Sequence, residues 1–144
     1  MNPHLVPAFH PLDAIPPVVI AFLYILASSL LREPARRNFN AIMISGAGAA
    51  YLSGGFGGWE FVFCAVVTLC AYEGLQSYRF IAIGWLLHSV WDVLHHLYGN
   101  PIVPFAPASS AGCAITDAIL AIWFFADAPS MFQVVKFRRA NAHG

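Results

Sequence analysis

Five apolar stretches of helical length follow one another along the chain, each bounded by charged, glycine-rich or proline-rich residues. A bilayer core of about 30 Å takes about 20 apolar residues in a helix, so each stretch is predicted to cross a membrane. Pro16 and Pro17 fall in the first turn of the first stretch, where a missing N–H costs little, and Pro129 ends the last stretch. The predicted helices cover residues 14–31, 39–53, 59–77, 80–98 and 110–126.

The residues after Pro129 differ from the five stretches because they mix apolar side chains with basic ones. Such a mixture is typical of an amphipathic helix that lies in the membrane interface. We predict one over residues 130–139, on the cytoplasmic face. The whole chain, residues 1–144, is therefore expected to form a single all-α transmembrane domain.

The seven basic residues set the predicted orientation, because Lys and Arg favour the cytoplasmic side of a membrane. With five crossings, all of them fall on the same side of the bilayer. The N-terminus, the glycine-rich turn and the proline-rich loop then face outward, and the C-terminus is cytoplasmic. The basic residues are Arg32, Arg36, Arg37, Arg79, Lys136, Arg138 and Arg139.

Composition agrees with a membrane location. Hydrophobic residues make up 59% of the chain and charged residues only 10%, whereas soluble domains carry about 25% charged residues. We therefore expect a multi-pass protein of the plasma membrane or bacterial inner membrane, with lipids as partners. The formal net charge is zero, which argues against a nucleic-acid partner. No basic segment precedes the first apolar stretch, so no cleavable signal peptide is expected.

Ionisable side chains recur along one face of the predicted fourth helix. At about 100° per residue, they fall within an arc of roughly 100°. Placing four such groups against lipid is costly, so we expect them to face the bundle interior or a wet cavity. Asp117 of the fifth helix has nearly the same predicted depth as Asp92, because the two helices run in opposite directions. The four groups are His88, Asp92, His95 and His96.

Imidazole and carboxylate groups together are the usual ligands of Zn²⁺ and non-haem iron. The stripe therefore predicts a divalent metal site, with Zn or Fe as the cofactor. Asp117 is expected either to complete the ligand shell or to act as a general base toward a bound water. The predicted metal ligands are His88, Asp92, His95, His96 and Asp117.

Two glutamates of the predicted third helix extend this hypothesis. Glu73 is predicted to approach His88 from the cytoplasmic side and to take a catalytic role beside Asp117. Glu60 lies near the outer end of the same helix and could approach His95 or His96. The two carboxylates point to different faces, so at most one of them is expected to share the site directly.

The pattern His-x-x-x-Asp-x-x-His-His over residues 88–96 resembles that of the alkaline ceramidase-like membrane hydrolases. Those enzymes hold a zinc with histidines and have an Asp and a Ser nearby, which implies a role for Ser89 or Ser110 here. From the predicted second to fifth helices, the chain is similar to small multi-pass bacterial membrane proteins of an uncharacterised family. That similarity implies no activity.

The leading hypothesis is a membrane-embedded, metal-dependent enzyme, either a hydrolase or an oxidoreductase, acting on a lipid-soluble or small amphipathic substrate. One alternative is a carrier or channel for protons or metal ions, since the ionisable groups form a ladder across much of the predicted membrane. A haem-binding or structural subunit is another, because histidines can serve as axial ligands. Small residues at four-residue steps in the second helix also suggest a homo-oligomer. They are Ala41, Ser45, Ala49 and Ser53.

Overall fold

The computed structural model describes residues 8–52 and 55–132, and this part of the chain is all-helical with five α-helices and no strand. A short 3-10 helix over Pro11–Ala14 leads into the first α-helix. The predicted all-α fold of five helices is confirmed. Residues 133–139 of the predicted interfacial helix lie outside the described residues. The α-helices are α1 (Ile15–Ser29), α2 (Ala35–Ala49), α3 (Trp59–Gly74), α4 (Tyr78–Tyr98) and α5 (Ser109–Phe125).

Helix α4 is the centre of the bundle. Its most extensive contact is with α5, and it also contacts α3 and α2, while α1 packs mainly on α5. Ile44, Val67, Ile81 and Phe124 are fully buried between these helices. Burial at 60, 63, 67, 71 and 74 in α3 follows the spacing of three and four residues that one helix face presents.

The bundle is polar inside and apolar outside to an unusual degree. Among its fully buried side chains are Asn40, Glu60, Asp92 and His95, whereas large apolar side chains on α1 and α3 are exposed. Soluble monomers rarely expose wide contiguous apolar surfaces. The outward-facing apolar residues of these two helices include Val19, Ile20, Phe22, Leu23, Phe61, Val62 and Leu69.

By length and composition, one helical stretch of the described chain can cross a membrane. It is Pro11–Ser29, with 19 residues and a mean hydropathy of 1.8. Ser109–Phe125 is also apolar but shorter. Helices α2 and α3 have 15 and 16 residues, which at about 1.5 Å per residue is less than the thickness of a bilayer core. α4 has 21 residues but carries three histidines and Asp92.

Gly48 allows close contact between α2 and α3. A Cβ at this position would lie 2.8 Å from Val67 Cγ1 and 3.0 Å from Val67 Cβ. Val67 is β-branched and fully buried, so it has little freedom to turn aside. Of the small residues at four-residue steps in α2, Ala41 is buried, whereas Ser45 is half-buried and Ala49 is exposed.

We expect Gly48→Ala to lower the free energy of unfolding by about 1–3 kcal/mol, because the added methyl overpacks the α2–α3 contact. Gly46→Ala is the matched control on the same helix, since a Cβ there meets nothing within 4 Å. It should be neutral or slightly stabilising, because Ala favours helix more than Gly does. Denaturant unfolding of both purified variants measures the difference, and equal stabilities would contradict the packing argument.

A small polar cluster fixes the α1–α2 connection to α4. Glu33 Oε1 accepts hydrogen bonds from Arg36 Nε at 2.8 Å and from the Tyr78 hydroxyl at 2.6 Å. Arg36 Nη2 lies 2.7 Å from the same oxygen. Partial burial alone would raise the pKa of Glu33, but the hydrogen bonds from Tyr78 and Arg36 outweigh burial and hold this pKa below 4.5.

The lowered pKa of Glu33 predicts a pH-dependent contribution to stability. The ionised carboxylate stabilises the fold above its unfolded pKa, and this contribution disappears as the pH falls through the lower folded pKa. At pH 7 we expect Glu33→Gln to lower the free energy of unfolding by about 0.5–1 kcal/mol. The effect is small because the carboxylate is partly solvated. Unfolding measured from pH 7 to pH 3 should show the two proteins converging. A difference that stayed constant over that range would contradict the prediction.

Candidate metal centre

The geometric centre of the site is a group of three buried ionisable residues on α4 and α5. His88 Nδ1 lies 2.8 Å from Asp117 Oδ2 and 3.4 Å from Asp92 Oδ2. His88 and Asp92 are one helical turn apart on α4, and Asp117 approaches from α5 at the same level. All three residues are at most 4% exposed. The arrangement brings together Asp92 and Asp117, which were predicted at nearly the same depth, and His88, one turn away on α4.

The same three residues fit a metal ion by distance and donor type. Each offers one ligand atom, and these atoms lie within 4.8 Å of one another. An ion held between one imidazole nitrogen and two carboxylate oxygens would offset the cost of burying two like charges. Among the described residues, His88 Nε2 is buried and has no hydrogen-bond partner. The imidazole therefore has an unused nitrogen in addition to the one between the carboxylates.

Aromatic rings enclose the imidazole of His88. The ring centroids of Phe63, Tyr51 and Trp85 lie 5.5, 5.6 and 6.0 Å from its own. The indole Nε1 of Trp85 is also buried and has no partner in the described part of the chain. His88 Nε2 and Trp85 Nε1 are thus two buried nitrogens without a hydrogen-bond partner in the described part of the chain.

Tyr51 links the α2 end of the bundle to this group. Its hydroxyl donates a short hydrogen bond to Asp92 Oδ1 and lies 3.5 Å from Ser110 Oγ. Ser110 Oγ in turn accepts from the backbone N–H of Ile102 at 3.1 Å. The hydroxyl holds one carboxylate oxygen of Asp92, so the other oxygen faces His88. Sequence reasoning missed Tyr51, because a tyrosine near the end of an apolar stretch carries no sign of its partner.

A second polar group lies next to the first, around Glu60. Its carboxylate accepts from the Phe56 backbone N–H and from Trp91 Nε1, each at 3.0 Å. His95 Nε2 lies 3.1 Å from Glu60 Oε1, although the alignment is too poor for a hydrogen bond. The His95 ring stacks on Tyr51 with centroids 4.1 Å apart. The two groups therefore meet at Tyr51.

The predicted site residues thus separate into three sets. His88, Asp92 and Asp117 lie together. His95 lies with Glu60 rather than with those three, and the half-buried His96 is not part of either group. Glu73 is exposed on α3, and in the described residues no hydrogen bond or ion pair joins its side chain to the centre. Of the two glutamates, Glu60 faces the bundle, because it shares the buried face of α3 and Glu73 does not.

Comparison with known proteins gives a family and no assigned activity. Neither the curated proteins nor the solved structures contain a match to this chain. One family model covers α1 to α5 together, including all three residues of the candidate metal centre. The chain belongs to the family of unknown function DUF6010, whose model matches residues 12–130.

Proposed function

We propose that this protein is a membrane-embedded, metal-dependent enzyme that acts on a lipid-soluble or small amphipathic substrate. The observation that carries the proposal is the buried group of His88, Asp92 and Asp117, whose ligand atoms lie within 4.8 Å of one another. Ionisable residues buried in a membrane protein are functional by default, because their burial is costly. A hydrolase and an oxidoreductase both fit this donor set.

The distribution of side chains supports a multi-pass membrane location. Exposed Leu, Ile, Val and Phe on the outer faces suit lipid, while the polar residues Asn40, Glu60 and Asp92 are buried inside the bundle. All seven basic residues fall on one side of a five-span topology, with the N-terminus outside. The shorter helices α2 and α3 would be accommodated by local thinning of the bilayer or by flanking polar side chains.

The donor set is compatible with a divalent ion such as Zn²⁺ or Fe²⁺, since one imidazole and two carboxylates suit either. Such an ion would supply Lewis-acid activation of a water or of a substrate oxygen. The protein's own groups then hold the site in shape. Tyr51 orients Asp92, and the rings of Phe63 and Trp85 exclude water from the imidazole. The unsatisfied Nε1 of Trp85 is available to donate to a substrate oxygen.

Elemental analysis of gently purified protein tests the proposal. Protein solubilised in a mild detergent without chelator is expected to carry about one divalent ion per chain, and His88→Ala is expected to lose it. His10→Ala is the matched control, because His10 is exposed before α1. Full metal content in His88→Ala would contradict the site. So would an unmodified protein that binds neither Zn²⁺ nor anaerobic Fe²⁺ after incubation.

A second candidate function, proton conduction, rests on the continuity of the hydrogen bonds. Asp117, His88, Asp92, Tyr51 and Ser110 form a continuous series of contacts, which reaches the loop before α5 through the Ile102 backbone N–H. Proton flux into proteoliposomes that falls in Tyr51→Phe, in protein that carries no metal, would favour conduction over catalysis. Tyr51→Phe removes only the hydroxyl that joins the two halves of the series.

A further inference from the structure

A cavity of about 490 Å³ lies at the opposite end of the bundle from Glu60, outside the candidate metal centre. It forms where the end of α1 meets the start of α2 and the segment that follows α5. Ser130 Oγ donates to the Ser29 carbonyl at 3.3 Å and thereby closes one wall. The residues that matter for its chemistry are Arg32, Glu33, Arg36, Ser130 and Phe132.

Arg36 is the unusual member of this lining. Its residue exposure is only 7%, and its Nε and Nη2 are occupied by Glu33 and Tyr78. Its Nη1 is buried without a hydrogen-bond partner in the described residues. A guanidinium presents a planar fork of N–H donors that matches the oxygens of a phosphate or carboxylate. An acceptor from outside the described chain would satisfy this unused N–H.

The charge around the cavity favours an anion. Arg32 is exposed at its rim and has no carboxylate partner among the described residues. Glu33, the acidic member, already receives hydrogen bonds from Arg36 and Tyr78, so its charge is largely compensated.

We infer that this cavity binds a phosphate group, with Arg36 Nη1 and the Arg32 guanidinium as its donors. The group is either the headgroup of an anionic phospholipid or a free phosphate, which share the same tetrahedral oxyanion. In the proposed topology the cavity faces the cytoplasmic surface, where anionic lipids attract basic residues. The inference does not depend on the metal centre, and metal content should not change when this cavity is altered.

Thermal unfolding with two phosphate sources tests the inference. In detergent, inorganic phosphate is titrated against chloride at constant ionic strength, and in nanodiscs phosphatidylglycerol is compared with phosphatidylcholine alone. Binding to the folded state raises the unfolding temperature with ligand concentration. A response to inorganic phosphate identifies free phosphate, and a response only to phosphatidylglycerol identifies the headgroup. Either response supports the site only if the Arg32 variant weakens it.

Arg32→Gln is expected to weaken the apparent affinity about tenfold, the effect of losing one charge-assisted hydrogen bond. Arg79→Gln is the matched control, because Arg79 is exposed on the same predicted side but does not line the cavity. Arg36→Lys keeps the charge beside Glu33 and removes the fork, so it should weaken binding as well. Equal losses in Arg32→Gln and Arg79→Gln, or no response to either phosphate source, would overturn the inference.

Discussion

Replacing Asp117 by Ala is expected to lower the free energy of unfolding by about 2–4 kcal/mol and to abolish metal binding. The carboxylate lies 2.8 Å from His88 Nδ1, and both side chains are nearly excluded from solvent. Without it, His88 keeps only the longer contact of 3.4 Å to Asp92. A buried polar group that loses its partner costs more than the contact contributed, since water cannot replace it. Denaturant unfolding and elemental analysis of the same preparation measure both effects.

Ser89→Ala is the matched control for Asp117→Ala. Ser89 Oγ donates to the Ala114 carbonyl at 2.8 Å, so it also joins α4 to α5 but takes no part in the centre. Losing the Ser89 hydroxyl should lower the free energy of unfolding by about 1 kcal/mol and leave the metal content unchanged. A double-mutant cycle of Asp117→Ala with His88→Ala should show coupling above about 1 kcal/mol. Asp117→Ala that matches Ser89→Ala in stability and retains its metal would refute this account.

A triple replacement of the centre separates function from stability. Replacing residues 88, 92 and 117 together by Leu leaves no unpaired charge at these positions. Apolar residues of similar size in place of a buried ion pair often stabilise the fold. We therefore expect the triple variant to be more stable than Asp117→Ala while binding no metal. That outcome would mean that the ionisable group is retained for its chemistry, at a cost in stability.

Helical periodicity was sufficient to predict the inner part of this site. His88 and Asp92 are four residues apart, so one face of α4 had to present both. Asp117 could be placed at their level by counting residues from the ends of two antiparallel helices, at about 1.5 Å each. Those two arguments use only the geometry of a straight helix. They hold because the bundle in this region is made of regular helices.

The parts that sequence reasoning missed depend on how the helices are rotated. Glu60 and Glu73 point about 140° apart on α3, so only one could face the centre. Depth favoured Glu73, but Phe63, Val67 and Gly74 share the buried face with Glu60. Reading that apolar spacing would have placed Glu60, rather than Glu73, on the buried face of α3. Tyr51 could not be found in this way, because it lies beyond the end of α2 and its direction depends on the turn.

The length of the predicted spans also differed from the structure. The second predicted helix, residues 39–53, begins four residues after the observed start of α2 at Ala35. The reason is that Arg36 and Arg37 were assigned to the connection between the first and second helices. Arg36 is instead buried in the first turn of α2, where Glu33 compensates its charge and the Tyr78 hydroxyl accepts a hydrogen bond from it. A charged residue marks the end of an apolar stretch in sequence, but it need not end the helix.

Removing the carboxylate of Glu60 is also expected to have a large effect. Glu60→Ala should lower the free energy of unfolding by about 3–5 kcal/mol. Glu60 is 1% exposed, and its loss leaves the Phe56 backbone N–H and Trp91 Nε1 without an acceptor and removes the carboxylate beside His95. Glu60→Gln should cost less, because its amide oxygen can still accept from one or two of them. Denaturant unfolding gives the stability, and the fluorescence of Trp91 reports the loss of its hydrogen bond.

Glu73→Ala is the matched control for this prediction, since it removes a carboxylate from the same helix at an exposed position. Its stability should stay within about 0.5 kcal/mol of the unmodified protein, as is usual for surface substitutions. If Glu60→Ala and Glu73→Ala proved equally stable, the buried group around Glu60 would not contribute as its contacts indicate.

The effect of Glu60 should also extend to the metal centre. Glu60 holds Trp91 and faces His95, whose ring lies flat against Tyr51 with an interplanar angle of 23°. Tyr51 in turn donates a hydrogen bond to Asp92, so a His95 ring that is free to turn would loosen this proposed metal ligand without contacting it. Groups that orient ligands typically contribute about 10- to 100-fold to metal affinity.

We expect Glu60→Gln, which remains folded, to weaken metal binding by about tenfold, whereas Glu73→Gln should leave it unchanged. Unaltered metal affinity in Glu60→Gln would mean that Tyr51 and Asp92 are held in place without help from the Glu60 group.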